Sequence, residues 1–211
     1  MMKTRRLLLA GVFAAVTIAA PRAAIAQAES RAAMLYRESY ALEAKRDYAG
    51  AMARVREVKG SGGNAYFATV RLAWLDYLAG DFGGSVTAYN EASAMEPNAV
   101  EPRLGATLPL LAARRWADLE KACRDVMTLD PHNSTALSRL ATAQYWSGNF
   151  ADATVTYRRL SADYPSDLDY KTGLGWSLLK SGKANDARQQ FEAVLAVSPD
   201  NVLAKQGLAA R

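Results

Sequence analysis

Two consecutive stretches of 34 residues decide the fold of this chain. They read STALSRLATAQYWSGNFADATVTYRRLSADYPSD (134–167) and LDYKTGLGWSLLKSGKANDARQQFEAVLAVSPDN (168–201). Each stretch has an amphipathic segment, a break at glycine (Gly148 or Gly182), a second amphipathic segment and a proline near its end. Glycine adopts a positive φ without a steric cost, and proline does not continue a helix. The pattern therefore predicts a pair of antiparallel helices in each stretch.

The same period extends over most of the chain. Four prolines recur at intervals of 34 residues, namely Pro97, Pro131, Pro165 and Pro199. Windows of 34 residues on this register give five predicted repeats, 32–65, 66–99, 100–133, 134–167 and 168–201. Such spacing indicates a stacked helical array in which neighbouring repeats share one core. Residues 202–211 begin a further first helix and are predicted to cap the open end of the fifth repeat.

Three positions within the windows support this register. Position 15 is predicted to end the first helix, and its residues are Arg46, Gly80, Arg114, Gly148 and Gly182. Asp or Asn at the next position can cap the second helix. Position 20 is small in four windows, which lets the two helices approach closely, and it holds Ala51, Ser85, Ala153 and Ala187. Position 24 is predicted to fill the gap between repeats, with Val55, Tyr89, Cys123, Tyr157 and Phe191.

These features resemble the tetratricopeptide repeat family, most closely in the windows 134–167 and 168–201. The resemblance implies an all-α fold, a right-handed superhelical solenoid of antiparallel helix pairs. The third window departs most from the family pattern, with Arg114 where glycine is usual and Leu119 where a small residue is usual. It also has Pro109 inside its first helix, which is predicted to kink or shorten that helix.

The N-terminus is typical of a cleaved secretory signal peptide, predicted as residues 1–26. A basic stub precedes an uncharged run from Leu7 to Pro21, and Ala24-Ile25-Ala26 forms an A-x-A site. The run is too short for a spanning helix, which needs about 20 apolar residues. We therefore expect an exported, periplasmic bacterial protein with no stable membrane insertion after cleavage, and residues 27–31 are predicted to link the signal to the first repeat. The general secretory route is favoured, and Arg5-Arg6 keeps a twin-arginine route open.

Charge and composition exclude several classes of function. The formal net charge is +5, but four of the 26 basic residues and none of the 21 acidic residues lie in 1–26, so the remainder carries +1. A balance near zero disfavours nucleic acid as a partner. With one Cys and one His, the chain has no multi-cysteine or multi-histidine metal site, and no motif indicates a cofactor or a catalytic set. We predict a protein that is not an enzyme and needs no cofactor.

The resemblance implies that first-helix positions 2, 5, 6, 9, 12 and 13 line a concave groove. On this chain the candidate groove residues are Tyr36, Arg37, Tyr40, Phe67, Arg71, Trp74, Tyr77, Leu108, Arg139, Tyr145, Trp146, Trp176 and Lys180. Aromatic residues at helical spacing often pack in a core, so part of this set is expected to be structural. Exposed aromatic and arginine side chains are typical of sites that bind proteins.

Two functions follow as hypotheses. The first is a periplasmic adaptor that binds a protein or peptide segment in this groove, in a setting such as envelope assembly, secretion or polysaccharide export. The alternative is an accessory enzyme or small-ligand-binding protein that uses the irregular third repeat around Pro109 and Cys123. For Cys123 itself, a buried thiol and a reactive thiol are both open readings of the sequence.

Overall fold

The computed structural model describes the backbone of residues 19–210 and the side chains of residues 31–210. This part of the chain contains eleven α-helices and no strand. The helices are α1 Ala19–Ala44, α2 Tyr48–Gly60, α3 Ala65–Ala79, α4 Phe82–Met95, α5 Val100–Ala112, α6 Trp116–Leu129, α7 Ser134–Trp146, α8 Phe150–Asp163, α9 Leu168–Lys180, α10 Ala184–Val197 and α11 Val202–Ala209. The predicted all-α fold of antiparallel helix pairs is confirmed.

The helices stack in chain order. Each helix packs on the next one along the chain, and first helices also contact first helices of the following unit, as α3 does with α5, α5 with α7 and α9 with α11. The first helices therefore lie together on one side of the stack, which makes that side the inner face of the solenoid. The last helix, α11, packs on both α9 and α10 and buries Ala204 and Gly207 against the fifth repeat.

The first helix extends further than the sequence predicted. α1 has 26 residues and begins at Ala19, so it runs through the expected linker 27–31 and through the expected cleavage site after Ala26. The expected linker is therefore helical, and the reason is local: residues 22–33 contain neither glycine nor proline to interrupt a helix. Residues 1–18 of the predicted signal peptide lie outside the described residues.

The turn inside every repeat has the same backbone geometry. At position 15, φ is +83° at Gly80, +82° at Gly148 and +76° at Gly182. The two arginines at this position adopt the same left-handed conformation, with φ of 61° at Arg46 and 54° at Arg114. The packing of the two helices thus imposes the turn even where a Cβ makes it costly.

The predicted caps form in part. The carboxylate of Asp47 accepts a hydrogen bond from the Gly50 amide at 2.9 Å, and that of Asp81 accepts one from the Gly84 amide at 2.8 Å. Asn149 makes no such bond to α8, although it occupies the same position. In the third repeat neither α5 nor α6 has a side-chain cap.

Proline does not shorten the first helix of the third repeat. α5 continues through the buried Pro109 and has 13 residues, as α7 and α9 do. Of the two predicted effects, a kink or a shorter helix, the second does not occur relative to α7 and α9: Leu110, which follows the proline, is buried in the core with Leu119, and this packing keeps the last turn in place. Leu119 fills the position that is small in the other repeats and is fully buried.

Candidate functional site

A concave pocket opens on the inner face between α7, α9 and α11. Its volume is about 380 Å³, which lies at the small end of the range for ligand pockets. We call it the aromatic pocket, and its lining residues are Tyr145, Trp146, Tyr157, Asp169, Thr172, Gly173, Trp176 and Leu203. Seven of these eight occupy first-helix positions 2, 5, 6, 9, 12 or 13 of their repeat or of the cap. Tyr145, Trp146 and Trp176 are the residues of the predicted groove that the structure brings together here.

The outer wall of the aromatic pocket is an exposed tryptophan held by its neighbours. Trp146 is 62% exposed, yet its ring stacks on Trp116 with centroids 6.2 Å apart and meets Tyr145 edge-on at 5.4 Å. Tyr145 in turn packs edge-on against Phe150 at 5.4 Å. A large apolar surface is therefore presented to solvent at a fixed position, which reduces the entropy lost when a partner binds.

The floor of the aromatic pocket includes a residue that the sequence analysis did not identify. Tyr157 lies on the second helix α8, but its ring reaches the inner face past Gly173 of α9, where a Cβ would approach it to 2.5 Å. Burial raises the pKa of the Tyr157 phenol, and its hydroxyl lies 3.4 Å from Thr142 Oγ1. The signal for this residue was the glycine at position 6, which leaves room for a ring from the preceding repeat.

One carboxylate lines the aromatic pocket. Asp169 is in the first turn of α9, and its side chain is exposed. Among the described residues its carboxylate has neither a hydrogen bond nor an ion pair, and no lysine, arginine or histidine lines the pocket. The negative charge of Asp169 contributes to the raised pKa of Tyr157, after burial and the neighbouring tyrosines.

The joints between repeats follow a rule that links position 24 of one repeat to position 6 of the next. Where position 24 is a large ring, position 6 is glycine, and a Cβ at that glycine would lie within 2.6 Å of the ring. These joints are Tyr89 with Gly105, Tyr157 with Gly173, and Phe191 with Gly207. Where position 24 is smaller, position 6 is arginine, and these joints are Val55 with Arg71 and Cys123 with Arg139.

Both of these arginines were predicted as groove residues, and the structure gives them partners within the fold. Arg139 is half-buried, and its guanidinium donates to the backbone oxygen of Leu104 at 3.1 Å and to Thr107 Oγ1. Thr107 is fully buried, so Arg139 ties α7 to the interior of α5. It is therefore a residue of the joint between repeats three and four, and its charge is not presented freely to the groove.

Arg71 is more deeply buried, with 6% of its side chain exposed. Its guanidinium forms an ion pair with Glu43, donates to Ser39 Oγ at 3.3 Å and lies over the ring of Tyr40, 3.9 Å from the centroid. Glu43 also accepts a hydrogen bond from the Trp74 indole at 3.0 Å. Arg71 and Trp74 thus connect the first two repeats, and the charge of the buried Arg71 is not presented to a partner, whereas the Trp74 side chain is half-buried.

The other predicted groove residues have varied environments. Phe67 and Tyr40 are 43% and 49% exposed, and Phe67 meets the half-buried Tyr36 edge-on at 5.1 Å. This second, smaller aromatic surface lies on the first two repeats. Arg37 and Lys180 are exposed, whereas Tyr77 and Leu108 are half-buried.

The thiol of the third repeat is not accessible. Cys123 is fully buried among Leu119, Leu140 and Leu160, and burial raises the pKa of its thiol to about 12. The described residues contain no group of three or more His, Cys, Asp or Glu side chains that could hold a metal ion. None of the helices in the described part of the chain has the length and apolar character needed to cross a membrane.

Comparison with known proteins supports the family resemblance. Two family models, both described as tetratricopeptide repeat, match residues 110–176 and 172–210. The Protein CTR9 homolog of Arabidopsis thaliana is 30% identical over 115 residues, which are 54% of this chain and 10% of that protein. The chain thus spans about a tenth of the length of this relative.

Solved structures show the same fold at low sequence identity. A tetratricopeptide repeat protein from Parabacteroides merdae superposes with a TM-score of 0.76 and 12% identity, over 84% of this chain and 71% of that one. MamA from Desulfovibrio magneticus superposes with a TM-score of 0.73 and 14% identity, over 82% of this chain and 97% of that one. YrrB, described as having an unusual peptide-binding site, superposes with a TM-score of 0.71 and 11% identity, over 83% of this chain and 91% of that one. The solved structures show that the chain has the fold of a tetratricopeptide repeat solenoid, and the two family models identify tetratricopeptide repeats in residues 110–176 and 172–210.

Proposed function

We propose that this protein is a non-catalytic adaptor that binds a segment of another protein on its inner face, with the aromatic pocket as the main contact. The observation that carries the proposal is the exposed Trp146 at the edge of a preformed concave pocket. Solvent-exposed tryptophan in such a position is typical of residues that dominate binding energy at protein interfaces. The peptide-binding site ascribed to the fold neighbour YrrB supports the same class of function.

The shape of the inner face favours an extended segment as the ligand. The aromatic pocket lies on repeats four and five, and the smaller aromatic surface of Phe67 and Tyr40 lies on repeats one and two. Half-buried Leu104 and Leu108 of the third repeat lie between them along the stack. A peptide that follows the groove would therefore meet apolar contacts along its length, with an anchor at each end.

The alternative, an accessory enzyme or small-ligand-binding protein that uses the third repeat, receives no support from the geometry. It rested on an irregular third repeat around Pro109 and Cys123, and the side chains of both residues are buried in the described structure. Burial keeps the thiol in its protonated, unreactive form because it raises the pKa of Cys123 to about 12.

The test is site-specific capture of the partner. A photo-crosslinking amino acid at position 146 is expected to trap a partner in living cells, and the same group at Val155 is the control. Val155 is 64% exposed, close to the 62% of Trp146, but it lies on the second helix α8. Trp146→Ala should weaken partner binding by about tenfold or more, while Val155→Ala leaves it unchanged. Equal capture at the two positions, or unchanged binding by Trp146→Ala, would overturn the proposal.

The periplasm is the location that we propose for this adaptor, and its support is the N-terminal sequence. Residues 3–26 contain a basic stub, an uncharged run and an A-x-A site. Expression in a bacterium followed by fractionation should recover a shortened protein from the periplasm. Replacing Arg5 and Arg6 with lysine should leave export intact if the general secretory route is used and should abolish it for the twin-arginine route. Full-length protein confined to the cytoplasm would contradict the proposed location.

A further inference from the structure

We infer that the aromatic pocket holds a basic side chain, lysine or arginine, of the bound segment. This inference rests on the proposed function and specifies the chemistry of the ligand. Its basis is the combination of aromatic rings with a single carboxylate in one pocket, since cations bind both to the faces of aromatic rings and to carboxylates.

The rings supply an uncharged, electron-rich wall. Tyr145, Trp146, Tyr157 and Trp176 all line the pocket, and the two indoles are the ring type that attracts cations most strongly. The phenols are neutral near pH 7, since the ordinary pKa of tyrosine is about 10, and burial raises the pKa of both Tyr145 and Tyr157 further above pH 7. The alkyl part of a lysine or arginine side chain can pack on these rings while its charged end extends beyond them.

Asp169 supplies the charge. Among the described residues it lacks an ion-pair partner, as do the exposed Asp152 and Asp186, and what distinguishes it is that it is the carboxylate in the lining of the aromatic pocket. Since no basic residue lines the pocket, a basic side chain from outside would be its first counter-charge. Such a contact combines an ion pair with hydrogen bonds to the carboxylate oxygens.

Other occupants fit this pocket less well. An acidic side chain would be repelled by Asp169. An apolar side chain would take water away from the carboxylate and give it no hydrogen-bond donor in return, which costs free energy. A basic residue flanked by apolar residues satisfies both the rings and the carboxylate.

The experiment is a peptide selection with a designed reversal of charge. A displayed library of random dodecapeptides is selected on the purified protein, and peptides that also bind Trp146→Ala are removed. We expect the recovered peptides to share a lysine or arginine at one position between apolar residues. The same selection on Asp169→Lys should recover peptides with aspartate or glutamate at that position instead.

Affinities of one recovered peptide then give the quantitative test. Exchange of its basic residue for norleucine should weaken binding about tenfold, and Asp169→Asn should weaken binding of the basic peptide by a similar factor. In Asp169→Asn the difference in affinity between the two peptides should become smaller, and the part that remains is the contribution of the rings. Asp186→Asn is the matched control, because Asp186 is also an exposed aspartate in the first turn of a helix of the fifth repeat but lies outside the pocket. It should leave both affinities unchanged.

The outcomes separate this inference from the proposed function. Two outcomes would overturn the inference and leave the proposed adaptor function intact. In the first, the peptides depend on Trp146 but share no basic residue. In the second, the selection on Asp169→Lys recovers peptides with the same basic residue. Recovery of no peptide that depends on Trp146 would count against both.

Discussion

The ring of Tyr157 occupies the space that a side chain at Gly173 would need: a Cβ at Gly173 would lie 2.5 Å from Cε1 and 2.6 Å from Cζ of that ring. The two residues come from different repeats, and together they form the floor of the aromatic pocket. The packing between repeats and the shape of the pocket therefore depend on the same contact.

Gly173→Ala is expected to lower the free energy of unfolding by about 1–3 kcal/mol, because the ring is forced from its position in a packed joint. Urea denaturation checks this. Gly60→Ala is the control, since a Cβ there meets no atom within 4 Å and alanine is the better helix former. Combining Gly173→Ala with Tyr157→Val should cost less than the sum of the single changes. Full additivity would contradict a direct clash.

The left-handed arginines allow a stabilising substitution. Arg114 has φ of 54°, a conformation that costs about 1–2 kcal/mol for a residue with a Cβ. We expect Arg114→Gly to raise the free energy of unfolding by about 1 kcal/mol, measured by thermal or urea denaturation. The adjacent Ala113 has φ of −78°, so Ala113→Gly should destabilise instead. Destabilisation by Arg114→Gly as well would show that Arg114 is not strained in this turn.

Two ion pairs between the first and second repeats should differ in how much they contribute to the free energy of unfolding. Glu43→Gln leaves the buried guanidinium of Arg71 without its counter-charge and should cost about 2–3 kcal/mol. The Lys59–Glu91 pair at 2.7 Å is its exposed counterpart, and Glu91→Gln should cost less than about 1 kcal/mol. Denaturation of both variants at low and high salt checks the difference. Equal costs would mean that burial does not strengthen the first pair.

Alkaline pH should destabilise the protein in a manner that depends on Cys123. The thiol pKa is about 12 in the folded protein and about 8.5 in an unfolded chain. Between these values the folded state retains a proton that the unfolded state releases, so stability falls as pH rises above about 9. The pKa of Tyr89, also raised to about 12 by burial, adds a loss of the same sign above pH 10.

The measurement is the urea midpoint from pH 7 to 10.5. Cys123→Ala should be less stable at pH 7, since it leaves a small cavity, and should lose less stability between pH 8.5 and 10. As an independent readout, a thiol reagent should label Cys123 in the unfolded protein and leave the folded protein unlabelled. Rapid labelling of the folded protein would show that the thiol is accessible.

Much of the fold was predictable from one chain because a repeated sequence gives several observations of the same local structure. The glycines at Gly80, Gly148 and Gly182 indicated where each first helix ends, and the register then placed Arg46 and Arg114 in the same turn. The start of α1 was not predictable in this way. Residues 27–31 lie before the first window, where no second copy provides a comparison.

The candidate site was predictable in its positions but only partly in its occupants. Helical periodicity indicates which face a residue lies on, and it located Trp146, Trp176 and Tyr145 on the inner face. It does not indicate which side chain on that face is covered by a neighbour. Arg71 and Arg139 were assigned to the groove for this reason, although their partners come from the preceding repeat.

The pairing of position 24 with position 6 also bears on how the repeats of this protein can be exchanged. A repeat with an aromatic ring at position 24 must be followed by a repeat with glycine at position 6. Repeat five, which has Gly173 there, could therefore directly follow repeat two. Repeat four could not, because Arg139 would clash with the ring of Tyr89. Each junction between repeats therefore requires two complementary residues, and this requirement restricts the order in which the repeats can follow one another. Duplication or shuffling of units in an ancestor, or in an engineered array, would have to respect this requirement or change both residues together.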